Sequence, residues 1–182
     1  MTAARALFAA ASMVAVLAST GEAAAEPSSW LSVQGGEARL RWLGAGERSR
    51  CALPFDVGIG APPQVPVMVG VGVRLTPYFG QGFDHAAYAR VANRGYVLGR
   101  WGAALDAGGY FRKFGEGSSG WTSALSLGAP FGVVAQVAYS QGTNDARTLV
   151  ATIGVDFLRL TVYRLAGESW WPNVNPAYRP RE

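Results

Sequence analysis

What the chain lacks narrows the possibilities first. Its 182 residues include one cysteine, Cys51, one histidine, His85, and one lysine, Lys113. A single thiol forms no intramolecular disulfide, and a thiolate metal site needs partners that are not there. The plain reading of Cys51 is a buried or merely tolerated thiol. Charged residues make up only 15% of the chain and hydrophobic ones 49%, so the surface is not the Lys/Glu-rich coat of an ordinary soluble protein. Something besides water is expected to cover part of it. The formal charge of +4 is carried almost wholly by arginines spread singly along the chain, whereas nucleic-acid recognition needs a basic patch or run. No nucleic-acid partner is predicted. No stretch beyond the first residues approaches the ~20 apolar residues that a membrane-spanning helix requires, which argues against a helical membrane protein.

The N-terminal residues carry the clearest signal. Arg5 gives a short positive opening, Ala6 to Ser19 is an apolar run, and Ala23-x-Ala25 ahead of Glu26-Pro27 fits the small-residue rule for signal-peptide cleavage. A cleaved signal peptide over residues 1–25 is predicted, with the mature chain beginning near Glu26. No cysteine stands just after the run, where a lipoprotein would carry its acylated residue. The mature protein is therefore expected either free in the periplasm or inserted in the outer membrane as strands. Its length suits one domain or one small closed barrel.

Period-two alternation puts successive side chains on opposite faces of a strand, and it recurs through most of the mature chain. Over Leu53 to Gly60, Leu53, Phe55, Val57 and Ile59 make one row and Pro54, Asp56, Gly58 and Gly60 the other. After the turn Ala61-Pro62-Pro63-Gln64, the segment Val67 to Thr76 sets five aliphatic residues against Met68, Gly70, Gly72, Arg74 and Thr76, and the two segments read as a hairpin. Tyr96 to Arg112 reads as one long tilted strand, with Val97, Trp101, Ala103, Leu105, Ala107 and Phe111 on one parity and Arg100, Gly102, Asp106, Gly108 and Arg112 on the other. Glu37 to Leu43, Gly120 to Leu127, Phe131 to Ser140 and Arg147 to Phe157 are further strands. Leu158 to Arg164 is a new strand or a bulged continuation. Between Asp84 and Gly95 a short helix capped by Asp84 competes with a strand followed by a loop, and strand plus loop is preferred. The predicted fold is all-β: a small antiparallel up-and-down β-barrel of about eight strands over residues 26–164, then an aromatic and proline-rich tail over residues 165–182.

Alternation alone fits a membrane barrel or a soluble one. Here the non-apolar face is rich in glycine and carries single charges. A narrow lumen would suit it, with Arg39, Arg41, Asp56, Arg74, Arg100, Asp106 and Asp156 pairing inside, since each would be costly to bury alone. The Val, Leu, Ile and Phe rows would then face lipid, and closure would satisfy every strand edge without water. Trp30, Trp42, Trp101 and Trp121, with Tyr78, Phe79, Phe83, Tyr96, Tyr110 and Phe111, lie near strand ends, as girdles at two membrane interfaces require; the alternative is ordinary core aromatics.

With a signal peptide, about eight amphipathic strands, glycine on the interior parity and aromatics at strand ends, the chain resembles the small outer-membrane β-barrel proteins. The likeness is one of pattern, covers nearly all of the mature chain and includes no diagnostic motif. It departs at the end: such barrels usually finish on an aromatic residue, and this chain runs past Phe157 and Tyr163 into a tail containing Trp170-Trp171-Pro172, which would plug or cap the barrel, bind a periplasmic partner, or lie along the rim.

Some barrels of this class are lipid-modifying enzymes that use a Ser/His pair near one rim. His85 is the only candidate base, and neither a nucleophile motif nor Gly-x-Ser-x-Gly accompanies it. Gly58-x-Gly60 with Ala61-Pro62-Pro63 is not a phosphate loop, because a strand follows where a helix would be needed. No catalytic, cofactor-binding or metal-binding residue is predicted. The expected function is a non-enzymatic structural or interaction role in the outer membrane, with outer-membrane lipid as partner and a periplasmic or surface protein as a further one. A narrow pore, a soluble periplasmic barrel carrying a lipophilic ligand, and an enzyme using His85 are the alternatives.

Overall fold

The computed structural model describes residues 28–42, 46–61 and 66–161. The predicted signal peptide and the tail, residues 165–182, lie outside them. Strand β1 (Ser28–Trp42) pairs along its second half with β2 (Gly46–Ala52) and along its first with β3 (Phe55–Gly60). These two are halves of one path, interrupted at Leu53-Pro54, and both lie between β1 and β4 (Val67–Tyr78). Proline has no N–H to give a ladder, yet its carbonyl still accepts from the Gln34 N–H at 3.0 Å, and the Leu53 N–H donates to the Pro77 carbonyl at 3.1 Å. The register therefore passes through the break unchanged.

From β4 the chain steps to the next neighbour each time, through β5 (Gly82–Asn93), β6 (Gly102–Arg112), β7 (Ser118–Gly128), β8 (Val133–Gly142) and β9 (Arg147–Asp156), and β9 pairs back onto β1. Nine strand segments thus fill eight places around a closed antiparallel ring, the architecture expected. From Trp30 the paired residues run Gly58, Gly72, Tyr88, Gly108, Thr122, Ser140 and Thr148, and return to β1 at Leu40, ten residues past the start. Closure with such a stagger tilts the strands by ~40° from the barrel axis.

Four segments depart from the sequence reading. The first strand begins at Ser28, not at Glu37. Residues 96–101 are not strand: the Asn93 side chain accepts the Tyr96 N–H at 2.9 Å and caps a single helical turn, α1 (Arg94–Val97). Gly99, at φ +72°, then reverses the chain into β6. Phe157–Thr161 is a short helix, α2, in place of the strand expected from Leu158, because the Asp156 carboxylate accepts the N–H groups of Leu158 at 3.0 Å and Arg159 at 3.2 Å. Finally, β2 is a strand that alternation did not show.

The aliphatic rows point outward. Val57, Val67, Val69, Val73, Leu105, Val137 and Ile153 are all exposed, while Asp56, Arg74, Arg90 and Asp106 are buried inside the ring. Aromatics gather outside at both ends, with Phe79, Phe83, Phe111 and Trp121 at one and Trp101, Phe131 and Phe157 at the other. Trp101 immediately precedes β6 and Phe111 lies near its end; at ~3.3 Å per residue and ~40° of tilt they stand ~25 Å apart along the axis. Trp30, Tyr78, Tyr96 and Tyr110, read from the sequence as girdle residues, instead lie inside and are buried, because each falls on the inward parity or beneath the rim.

Candidate functional site

The interior is a stack of polar and aromatic layers. At mid-height Asp56 and Arg74 are register partners on β3 and β4, and Arg90 and Asp106 are partners on β5 and β6. The four side chains converge. Arg74 Nη2 donates to Asp56 Oδ2 at 2.9 Å and to Asp106 Oδ2 at 2.6 Å, and Arg90 Nε donates to Asp106 Oδ1 at 2.7 Å while its Nη2 reaches Asp56 Oδ2 at 3.2 Å. The Tyr88 hydroxyl donates to the remaining Asp56 oxygen and accepts from Trp30 Nε1 at 2.9 Å. Each guanidinium also stacks on a ring, Arg90 at 4.5 Å from the Trp30 centroid and Arg74 at 4.8 Å from that of Tyr88. Buried charge is tolerated only where it is paired and its lone pairs are filled, and here both conditions are met.

Nearer one rim, Arg112 and Asp84 are again register partners, bonded twice, Nε to Oδ1 at 2.9 Å and Nη2 to Oδ2 at 2.8 Å. Tyr78 donates to Asp84 Oδ2 at 2.9 Å, and Arg112 Nη2 also donates to the Thr148 hydroxyl. At the opposite rim Asp156 caps α2, and Arg159 lies 4.5 Å from the Tyr96 centroid and donates to the Arg100 carbonyl at 3.3 Å. Burial lowers the pKa of the Arg159 guanidinium and raises that of the Tyr96 phenol. The eight buried charged side chains are four aspartates and four arginines, so the described interior is neutral.

Above the central network a cavity of about 20 Å³, lined by residues including Arg74, Asp84, Tyr110 and Gln136, has room for one or two waters. Glycines let the rings in: a Cβ at Gly58 would overlap the Trp30 indole, and one at Gly72 the Tyr88 phenol.

Of the residues expected inside, Asp56, Arg74, Asp106 and Asp156 are buried, the first three in one network. Arg39, Arg41 and Arg100 are not in the lumen, which corrects the sequence reading. On β1 the inward positions near this end are Ala38 and Leu40, so Arg39 and Arg41 project outward, the latter 3.0 Å from Asp145. Arg100 is exposed in the turn after α1. The sequence reading missed Asp84, Arg90, Arg112 and Arg159. The first three could have been found as register partners, since each sits opposite an oppositely charged inward residue.

His85 faces outward with its ring edge-on to Phe83 at 4.9 Å, and Cys51 is exposed. Among the described residues no three His, Cys, Asp or Glu side chains gather to hold a metal, and no helix is long and apolar enough to cross a membrane. In comparisons with known proteins, no family model, no curated protein and no solved structure matches the chain.

Proposed function

We propose that this chain is a membrane-embedded β-barrel of a Gram-negative-type outer membrane, with a structural or interaction role. One observation carries the reading: the barrel turns its aliphatic rows outward and keeps its ion pairs inside. In water that arrangement would expose a continuous apolar band, which monomeric soluble proteins avoid. In hydrocarbon it costs nothing, and closure leaves no strand edge unpaired within the band. Outer aromatics ~25 Å apart fit the two interfaces of such a membrane, and the sequence of residues 1–25 supplies the export signal.

The packed interior argues against the other roles. A conducting pore needs a water-filled path, and Trp30, Met68, Tyr88 and Leu40 are buried inside the barrel together with the ion pairs. A carrier of lipophilic ligands needs an apolar cavity of several hundred Å³, and the cavity above the central network, with Arg74, Asp84 and Gln136 in its lining, has about 20 Å³. The full chain should pellet with outer membranes, resist extraction without detergent, and migrate differently on gels before and after boiling. Recovery in the soluble periplasmic fraction would sink the reading. Single-channel conductance in a planar bilayer would instead favour the pore.

A further inference from the structure

One strand edge of the ring is open. Among the described residues, β2 pairs with β1 along its whole length but with β4 only at Ala52. Past that point β4 turns back through residues 79–81 into β5, so the rest of β2 rises above the rim that carries Phe79, Phe83 and Phe111. The last bond on this edge fixes its phase. The Cys51 carbonyl accepts the Phe79 N–H at 3.0 Å, so the backbone groups of Cys51 point away from β1, and at period two those of Ser49 and Glu47 do the same. No strand faces them. The Ser49 carbonyl is met only by the neighbouring Arg50 guanidinium, whose Nη1 donates at 3.0 Å. Such a row of unpaired donors and acceptors is a template for one more strand.

The side chains restrict which strand can add. Arg48 pairs with Leu40 and Arg50 with Ala38, both inward on β1, so the two arginines share the inward face of the hairpin, while Glu47 and Ser49 lie on its other face. Arg48 is exposed, 5.7 Å from the Trp42 centroid, and Arg50 is half-buried. Among the described residues no carboxylate forms an ion pair with either. A second copy pairing here with Ser49 opposite Ser49 or Glu47 would set Arg48 against Arg50 or against another Arg48, and like charges directly opposite repel. A strand with carboxylates on that parity would instead meet both guanidiniums as cross-strand pairs.

We infer that the open edge of β2, residues 47–50, docks an extended polypeptide segment with acidic side chains at alternate positions, added as an antiparallel strand. The inference names a partner for the interaction role proposed above and rests on that reading. The full chain is refolded in phosphatidylcholine nanodiscs, which leave both rims open, and heat-dependent gel mobility first checks insertion; failure there overturns the membrane reading and the inference with it. Binding of a labelled peptide of alternating Thr and Glu is then followed by fluorescence anisotropy, beside the corresponding Thr/Gln and Thr/Lys peptides.

The Thr/Glu peptide should bind best. Ser49→Pro removes an N–H from the open edge and none from the ladder to β1, so it should weaken binding roughly tenfold more than Ser49→Ala, which keeps that N–H. The Thr/Glu peptide N-methylated at every residue keeps its charge but cannot donate, and it should lose binding to the unaltered protein by a similar factor. Arg48→Gln with Arg50→Gln should abolish the preference for the Thr/Glu peptide over the Thr/Gln one. No binding by the Thr/Glu peptide, or equal binding by the Thr/Lys peptide, overturns the inference. Binding that survives both Ser49→Pro and N-methylation but not the arginine substitutions would be attraction of charges without strand addition, and overturns it too.

Discussion

Arg90 and Asp106 face each other as register partners on adjacent strands, and their side chains meet inside the barrel at 2.7 Å, both almost wholly buried. The same holds for Asp56 with Arg74 and for Asp84 with Arg112. The charges are thus arranged by the sheet itself: a cross-strand pair on the inward parity is brought together by pairing alone, and the tilt then lets two such pairs interlock.

Removing one member of this network should be worse than removing two. Asp106→Ala leaves Arg74 and Arg90 short of a counter-charge, and a cost of ~3–5 kcal/mol is expected. Replacing Arg90 and Asp106 together by Met and Leu should recover much of it. Urea unfolding in vesicles, followed by gel mobility, measures both; a double variant as unstable as the single would show that packing rather than charge balance decides.

Gly58→Ala should destabilise by ~1–3 kcal/mol through overpacking against Trp30. Combining it with Trp30→Phe, which shrinks the ring in the way, should give back part of that loss. Additive costs in the same unfolding assay would mean the two positions do not collide.

Tyr96 lies in α1, beyond the strands, and burial raises its phenol above the ordinary tyrosine range. The folded state therefore favours the protonated form. That contribution is fully present below pH ~10, where an unfolded tyrosine ionises, and is lost as pH rises through the folded value. The difference in 295 nm absorbance between the parent and Tyr96→Phe should stay near zero until the pH passes well above that of exposed tyrosines. A difference developing near pH 10 would place the phenol in water.

Where one face is mostly apolar and the other small, polar or charged, as in β3, β4, β7, β8 and β9, the alternation shows the strand and its two faces, and in β3 and β4 the Asp56–Arg74 pair could be read from it. Elsewhere the signal disappears for definite reasons. Strand β2, Gly-Glu-Arg-Ser-Arg-Cys-Ala, is polar on both faces because most of it rises beyond the band. In β5 the run His85-Ala86-Ala87-Tyr88-Ala89-Arg90 suits a helix as well as a strand, so Asp84 and Arg90 stayed hidden until pairing fixed the parity. Arg39 and Arg41 read as lumen residues because an arginine at the rim and one in the lumen differ only by which parity is buried, here that of Ala38 and Leu40. Residues 96–101 continue the alternation of β6 by coincidence, and the Asn93 cap overrides it.

The account depends most on what touches the outward rows. Val73 stands midway between the two aromatic belts and is 53% exposed. A nitroxide attached at Val73→Cys, in a Cys51→Ser background reconstituted in vesicles, reports its surroundings by collision. The account predicts strong relaxation by oxygen and almost none by a water-soluble nickel chelate. The reverse pattern would put Val73 in water and contradict it.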